Sequence, residues 1–272
     1  MTPSTASPYT VYMNITPEKA MTWLETTNSN NRKIIDNHVQ RLARDMRHGK
    51  WQLNHQGIAF SVDGVLLDGQ HRLWAIVESG TPVKMAVTFN LPAASRMTID
   101  EIQARSMTDV LRLAGNNGEV TSYHVATVRA MLGGYRAIPV LTAQEMSQYL
   151  NLYSKAVRFA LKHLPNGAVS GISNATTRAV IARAWYSADH DRLAEFCELL
   201  VTGLIPPSPT ASLMVNLRSY LLTHLGHALP QRRERYGKMQ RALLAYMDNQ
   251  PLKNLLAATR EHFAVPELNE RA

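Results

Sequence analysis

Leu67-Asp68-Gly69-Gln70-His71-Arg72-Leu73-Trp74-Ala75 is the stretch in which the sequence pattern changes from strand to helix. The apolar run 65–67 predicts a strand, and Asp68-Gly69 is typical of a turn. From Gln70 onward the apolar spacing is helical, and Gly80 is a typical residue for a helix end. The sequence therefore predicts a strand that turns tightly into a helix over residues 70–79.

The first turn of this helix carries groups suited to an anion. A helix N-terminus offers backbone N–H groups and partial positive charge. Arg72 adds a guanidinium fork and His71 an imidazole, while Gly69 lets the backbone approach a ligand closely. We therefore expect Gly69, Gln70, His71 and Arg72 to bind a phosphate group.

Asp68 is unusual in such a site because its carboxylate would repel a phosphate unless Mg²⁺ or a hydroxyl lay between them. Its presence favours metal-assisted nucleotide binding, with Asp68 as the metal ligand, or catalysis, with Asp68 or Asp100 as a base. The alternative is that Asp68-Gly69 is only a turn and that His71 and Arg72 lie on a solvated surface, since short motifs also match by chance.

The sequence around this stretch predicts a small α/β unit over residues 10–92, after a flexible tail at residues 1–9. An apolar hairpin with a turn at Asp63-Gly64 precedes the strand–turn–helix stretch. The other expected elements are a strand over Tyr9–Ile15, a helix after Thr16, a helix from Asn31 or Arg32 to Gly49, and a strand over Val83–Phe89.

Residues 98–272 lack strand patterns of comparable strength and predict an all-helical domain. Capping boxes at Thr98, Ser106 and Thr142 indicate helix starts. The remaining helices are expected near 119–132, 142–163, 174–187, 190–202, 211–226, 231–247 and 251–263. The predicted fold class is therefore α+β, a mixed-sheet domain followed by a helical one.

The chain has 272 residues and a formal net charge of +8, which favours an anionic partner, nucleic acid first. Positive charge is densest in segments 32–50 and 231–241. The candidate contacts to a DNA backbone are Arg44, Arg47, Arg232, Arg233, Arg235, Lys238 and Arg241. A solvated helix face is the alternative for both segments.

Several classes of protein do not fit the sequence. Cys197 is the single cysteine, so neither an internal disulfide nor a cysteine-based zinc site is expected. P-loop and GxGxxG motifs are absent. No apolar run reaches membrane-spanning length and no secretory signal is recognisable, so a cytoplasmic protein without membrane contact is expected.

The strand, DGQHR and helix together resemble the phosphate-binding motif of the ParB/sulfiredoxin superfamily. More closely, Gly49-Lys50-Trp51, the segments 56–60 and 68–76, and the later Ile99-Asp100 and 105–111 resemble a ParB N-terminal-like family of bacteriophages and mobile elements. The resemblance covers about residues 14–115. It implies a ParB-like fold for the first domain, a bacterial or phage-infected cell, and a nucleoside triphosphate (ATP or CTP) bound with Mg²⁺.

Departures from the superfamily narrow what the resemblance implies. Gln70 stands where the sulfinic-acid reductases have a cysteine, which argues against reductase chemistry. The DNA clamps carry a recognition helix after the nucleotide domain, and no clear signature of one follows here. Asp68 matches the acidic position of the kinase-like members.

Three hypotheses remain open from the sequence. The first is a DNA-associated, nucleotide-binding protein, for which a homodimer is a candidate assembly. The second is an enzyme, either an NTP-dependent phosphotransferase or a nucleic-acid-modifying enzyme. The third is an interaction module that kept the fold without nucleotide turnover.

Overall fold

The computed structural model describes residues 7–29, 31, 33–99, 106–113, 120–226 and 228–268. These residues form twelve α-helices and one four-stranded mixed sheet, which confirms the α+β class. The chain divides into two compact units, Met1–Ala104 and Arg105–Ala272. Within the described part, no helix is both long and apolar enough to cross a bilayer.

The N-terminal unit is built on a sheet of order β1-β4-β2-β3. β1 pairs antiparallel with β4, β4 parallel with β2, and β2 antiparallel with β3 across the expected hairpin. The strands are β1 (Tyr9–Ile15), β2 (Ile58–Ser61), β3 (Leu66–Asp68) and β4 (Val83–Leu91). The helices are α1 (Pro17–Thr27), α2 (Asp36–Arg47), α3 (Gln70–Ser79) and the short α4 (Arg96–Ile99).

Two helix starts in this unit differ from the sequence prediction. α2 begins at Asp36, not at Asn31 or Arg32, because the Asn31 amide donates to the Leu66 carbonyl at 3.1 Å and holds the chain beside β3. Thr98 lies inside α4, where its hydroxyl donates to the Ser95 carbonyl, and Glu101, its expected capping partner, lies outside the described residues. β1 spans Tyr9–Ile15 as predicted, so the tail assigned to residues 1–9 overlaps the strand at Tyr9.

α4 joins the N-terminal unit through Arg96. Its Nη2 donates to the Leu66 carbonyl at 2.8 Å and to Asn31 Oδ1 at 3.2 Å, which ties the helix to β3. The division between units therefore falls after the predicted interval of residues 92–98. Asp100 and residues 101–105 lie outside the described residues, so the predicted base Asp100 has no structural assignment.

The described part of the C-terminal unit contains helices and irregular segments but no strand, as the sequence predicts. One core is shared by its helices and includes Cys197, which is fully buried. The helices are α5 (Met107–Leu113), α6 (Ser122–Gly133), α7 (Ala143–Leu152), α8 (Ser154–His163), α9 (Ala175–Ala184), α10 (His190–Thr202), α11 (Ala211–Thr223) and α12 (Leu229–Met247).

Two predictions for this unit are wrong. The helix expected over 142–163 is interrupted at Tyr153, which separates α7 from α8. The helix expected over 251–263 is absent, and the segment 258–266, here called the C-terminal strap, runs irregularly against α12. Gly237 allows this approach, because a Cβ there would lie 2.4 Å from the Ala258 carbonyl oxygen. The Ala258 N–H donates to the Gly237 carbonyl instead of to a helical partner.

Candidate functional site

The turn between β3 and α3 brings Asp68 and Arg72 together. Gly69 has φ +103°, and a Cβ there would lie 2.4 Å from Ile58 Cδ1, so this turn requires glycine on both conformational and steric grounds. Asp68 Oδ1 accepts from the Gly69 N–H at 2.6 Å and lies 3.4 Å from Arg72 Nη1. The motif is therefore a compact ion-paired turn at the end of the sheet.

No side chain caps the N-terminus of α3, because Gly69 occupies the cap position. By contrast, the side chains of Thr16, Thr142, Asn174 and Asp189 cap α1, α7, α9 and α10. The backbone N–H groups in the first turn of α3 point out of the start of the helix. Anions bind at this end of a helix, because these groups are donors and the helix dipole is positive there. Gln70 is half-buried in this first turn.

His71 lies differently from the prediction of a phosphate-facing imidazole. The residue is only 7% exposed, and its Nε2 accepts from the Ile35 N–H at 3.1 Å. Accepting this bond requires Nε2 without a proton, so Nε2 cannot donate to a phosphate while the bond is present. The His38 ring meets the His71 ring edge-on at 5.2 Å, and His71 thus links α3 to the start of α2.

A cleft of about 230 Å³ opens beside this turn. The Trp51 side chain forms part of its wall, and its buried Nε1–H meets no hydrogen-bond acceptor within the described residues. Arg72 is half-buried at the cleft, and its side chain is 16% exposed. The lining residues are His38, Leu42, Trp51, Asn54, Gln56, Asp68, Gly69, His71 and Arg72.

The acidic groups at this cleft are sparse. Among the described residues, Asp68 is the one carboxylate in its lining, and no group of three or more His, Cys, Asp or Glu side chains is placed to hold a metal. Mg²⁺ is commonly held by one or two carboxylates together with substrate phosphates and water. Asp68 fits a metal of that kind, for which the phosphates supply the other ligands.

The basic residues predicted to contact DNA fall into two groups. Arg232 and Arg235 are 8% and 4% exposed. Arg232 donates to the carbonyls of Gly134 and Arg136, and Arg235 donates to those of His224 and Gly226. Their position in the interior argues against phosphate contact, because these guanidinium groups already bind backbone carbonyls.

The other five basic candidates lie nearer the surface. Arg233, Arg241 and Arg47 are exposed, although Arg47 also donates to the Glu78 carbonyl at the end of α3 at 2.9 Å. Lys238 is half-buried, pairs with Glu234 at 2.9 Å and lies 3.8 Å from the centre of the Tyr220 ring. Arg44 is half-buried on α2. The two basic segments belong to different units.

A second cleft, of about 950 Å³, lies in the C-terminal unit and was not predicted. The end of α6, the α7–α8 junction, α9 and the C-terminal strap surround it. Its polar lining consists of Tyr135, Arg136, Tyr149, Tyr153, Arg183, Arg260, Glu261, His262 and Glu267, among others. The glycine pair at 133–134 marked only a helix end in the sequence, and the strap was expected to be helical, so no local pattern indicated this cleft.

Comparisons of the chain with protein-family models, curated proteins and solved structures found no match.

Proposed function

We propose that the N-terminal unit binds the phosphate end of a nucleotide at the Asp68–Arg72 turn, and that the protein acts in association with nucleic acid. The observation that carries this proposal is that two features suited to an anion meet at one cleft. They are the start of α3, with glycine at the cap position, and the Arg72 side chain, and Trp51 forms part of the same wall.

The size of the cleft restricts what enters it. Its volume of about 230 Å³ is below the roughly 300–1,000 Å³ of pockets that enclose whole small ligands. A phosphate or diphosphate group fits such a space, while the sugar and base would lie towards the exposed Asn54 and Gln56. The ParB-like character of this unit, inferred from its DGQHR motif, belongs to the same proposal.

Arg72 and Asp68 have separate roles in this site. The Arg72 guanidinium would bind phosphate oxygens directly, which is the stronger, charge-assisted kind of hydrogen bond. The Asp68 carboxylate orients Arg72 and would contribute one ligand to Mg²⁺ carried by the phosphates. His71 would act by holding α2 against α3, because its Nε2 already accepts from Ile35.

The test is a thermal-shift series with ATP, CTP, GTP and inorganic phosphate, each with and without Mg²⁺. A ligand at 100 times its dissociation constant should stabilise the protein by about 2.7 kcal/mol. Arg72→Ala should remove most of that stabilisation, since one charge-assisted hydrogen bond contributes about 1.5–3 kcal/mol. Asp68→Asn should remove the Mg²⁺-dependent part.

Lys84→Ala is the matched control, because Lys84 is an exposed cation of the same unit, on β4, and lies outside the cleft lining. The proposal is wrong if no phosphate compound stabilises the wild type, or if Arg72→Ala and Lys84→Ala respond alike. Product analysis with the stabilising nucleotide then separates binding from hydrolysis and from phosphate transfer.

A further inference from the structure

We propose that the 950 Å³ cleft of the C-terminal unit binds a segment of single-stranded nucleic acid, with Arg136 and Arg260 on its phosphates and Tyr149 against a base. The inference rests on the nucleic-acid half of the proposed function and assigns it a location. It differs from the sequence prediction, which assigned DNA contact to the arginines of α12.

The two arginines are presented by backbone that is held in place. The carbonyl of Arg136 accepts from buried Arg232, and its N–H donates to the Gly133 carbonyl at 2.6 Å. Arg260 precedes Glu261, which is bound by Arg183 at 3.2 Å and by the Tyr236 hydroxyl at 2.6 Å. Both arginines are exposed, and neither forms an ion pair within the described part of the chain.

The C-terminal strap forms a wall of the cleft because buried and half-buried side chains bind its main chain. Gln240 Oε1 accepts from the His262 N–H at 2.8 Å, and Arg183 Nε donates to the Phe263 carbonyl at 3.0 Å. The Tyr153 hydroxyl donates to the Pro266 carbonyl at 2.9 Å. These hydrogen bonds make the strap a fixed wall, so Arg260 is held at the cleft.

The charge and aromatic content of the cleft favour a nucleic acid over an acidic peptide. Glu261 is balanced by Arg183, so within the described lining Arg136 and Arg260 face one further carboxylate, Glu267. Tyr149 is half-buried in the lining and stacks on buried Tyr153, with ring centres 5.8 Å apart. Arginines beside a tyrosine ring match the way single-strand binders track phosphates and stack bases.

A duplex is a poorer fit than a single strand. Bases in a duplex are paired and stacked on each other, so the Tyr149 face would remain unused. The volume of the cleft lies within the range of pockets that enclose small ligands, about 300–1,000 Å³, and corresponds to a short segment of one strand.

The experiment measures fluorescence anisotropy of the full chain with a labelled oligothymidylate of about 12 nucleotides, within the site sizes of single-strand binders. The double variant Arg136→Ala/Arg260→Ala should weaken binding about tenfold or more at low salt. The slope of log K against log salt should become shallower by about 1.4, or about 0.7 for each phosphate that is no longer neutralised. Tyr149→Leu should weaken binding about fivefold or more without changing the slope.

Lys253→Ala is the control, because Lys253 is exposed near the strap and lies outside the lining. Each variant is compared only if its thermal midpoint is that of wild type. Tyr149→Phe, which keeps the ring, should bind like wild type, and weakened binding by this variant would contradict base stacking on Tyr149. Binding that persists in the double variant overturns the cleft while leaving DNA association intact. Equal binding of duplex DNA, polyphosphate or a polyglutamate peptide overturns the single-strand assignment, and no binding at all ends the nucleic-acid half of the proposed function. Stabilisation of the protein by nucleotide, and its loss in Arg72→Ala, tests the nucleotide half of the proposed function independently of these binding measurements.

Discussion

Arg72 at the start of α3 and the arginines of α12 are all predicted from the sequence to bind an anion, yet the structure gives them different environments. Arg72 is half-buried at a cleft and pairs with a partly exposed carboxylate at 3.4 Å. Arg232 and Arg235 are almost completely buried and donate to loop carbonyls. The difference shows that a dense run of arginines indicates where positive charge occurs in the chain but not whether it meets solvent.

The largest effect is expected from removing a buried arginine of α12. Arg232→Ala or Arg235→Ala would remove a buried guanidinium and the donor of two loop carbonyls each, which should lower the free energy of unfolding by about 2–4 kcal/mol. Exposed Arg241→Ala should change it by no more than about 0.5 kcal/mol. Denaturant unfolding followed by circular dichroism compares the three variants, and equal midpoints would remove the distinction between buried and exposed arginines.

A somewhat smaller effect is expected at the turn that presents Arg72. Gly69→Ala would place a side chain at a φ of +103°, with its Cβ 2.4 Å from Ile58 Cδ1. This substitution should lower the free energy of unfolding by about 2–3 kcal/mol and abolish stabilisation by nucleotide. Gly64→Ala, with φ +76° but open space around its Cβ, should cost only about 1 kcal/mol. A thermal-shift assay with and without ligand would contradict this if Gly69→Ala kept the full ligand response.

Alkaline pH should weaken the C-terminal unit through Tyr153. Burial, followed by neighbouring Tyr149 and Tyr186, raises the pKa of Tyr153 from about 10 to about 12. Above pH 10 the unfolded chain releases this proton while the folded chain keeps it, so stability falls by on the order of 2 kcal/mol between about pH 10 and 12. Tyr153→Phe should be less stable at neutral pH, because its ring cannot donate to Pro266, but should show a shallower decline over that interval. If the free energies of unfolding of wild type and Tyr153→Phe fall in parallel between about pH 10 and 12, Tyr153 does not contribute to the alkaline loss of stability.

The smallest effect on stability is expected for Arg72→Ala in the absence of ligand. Arg72 Nη1 and Asp68 Oδ1 lie 3.4 Å apart, and the Asp68 side chain is 38% exposed, so this ion pair should contribute no more than about 1 kcal/mol. An unfolding midpoint close to that of wild type would show that stability does not require Arg72, in contrast to Arg232. A loss comparable to that of Arg232→Ala would instead make Arg72 a structural residue.

The strand–turn–helix stretch shows which parts of the fold could be predicted. α3 spans residues 70–79 as predicted, and Gly69 and Gly80 at its two ends are both in the left-handed conformation. The capping boxes at Ser106 and Thr142 also form as predicted. These features depend on residues within a few positions of each other, so the sequence contains the whole interaction.

The wrong predictions involve partners far apart in the chain. Residues 251–263 have an apolar spacing compatible with a helix, but Gln240, Arg183 and Tyr153 bind the backbone of the strap from elsewhere in the unit. The burial of His71 depends on Ile35, which lies 36 positions away. Without the fold, neither set of hydrogen bonds can be read from the residues themselves.

The sequence by itself determined the α+β class, the strand–turn–helix at Asp68–Arg72 and most helix positions, because capping, turn conformation and apolar periodicity act locally. Tertiary structure alone decided the strand order, which arginines are buried, and where the two clefts lie. The physical reason is that burying a guanidinium requires acceptors, and those acceptors are carbonyls of loops that only packing brings within hydrogen-bond distance.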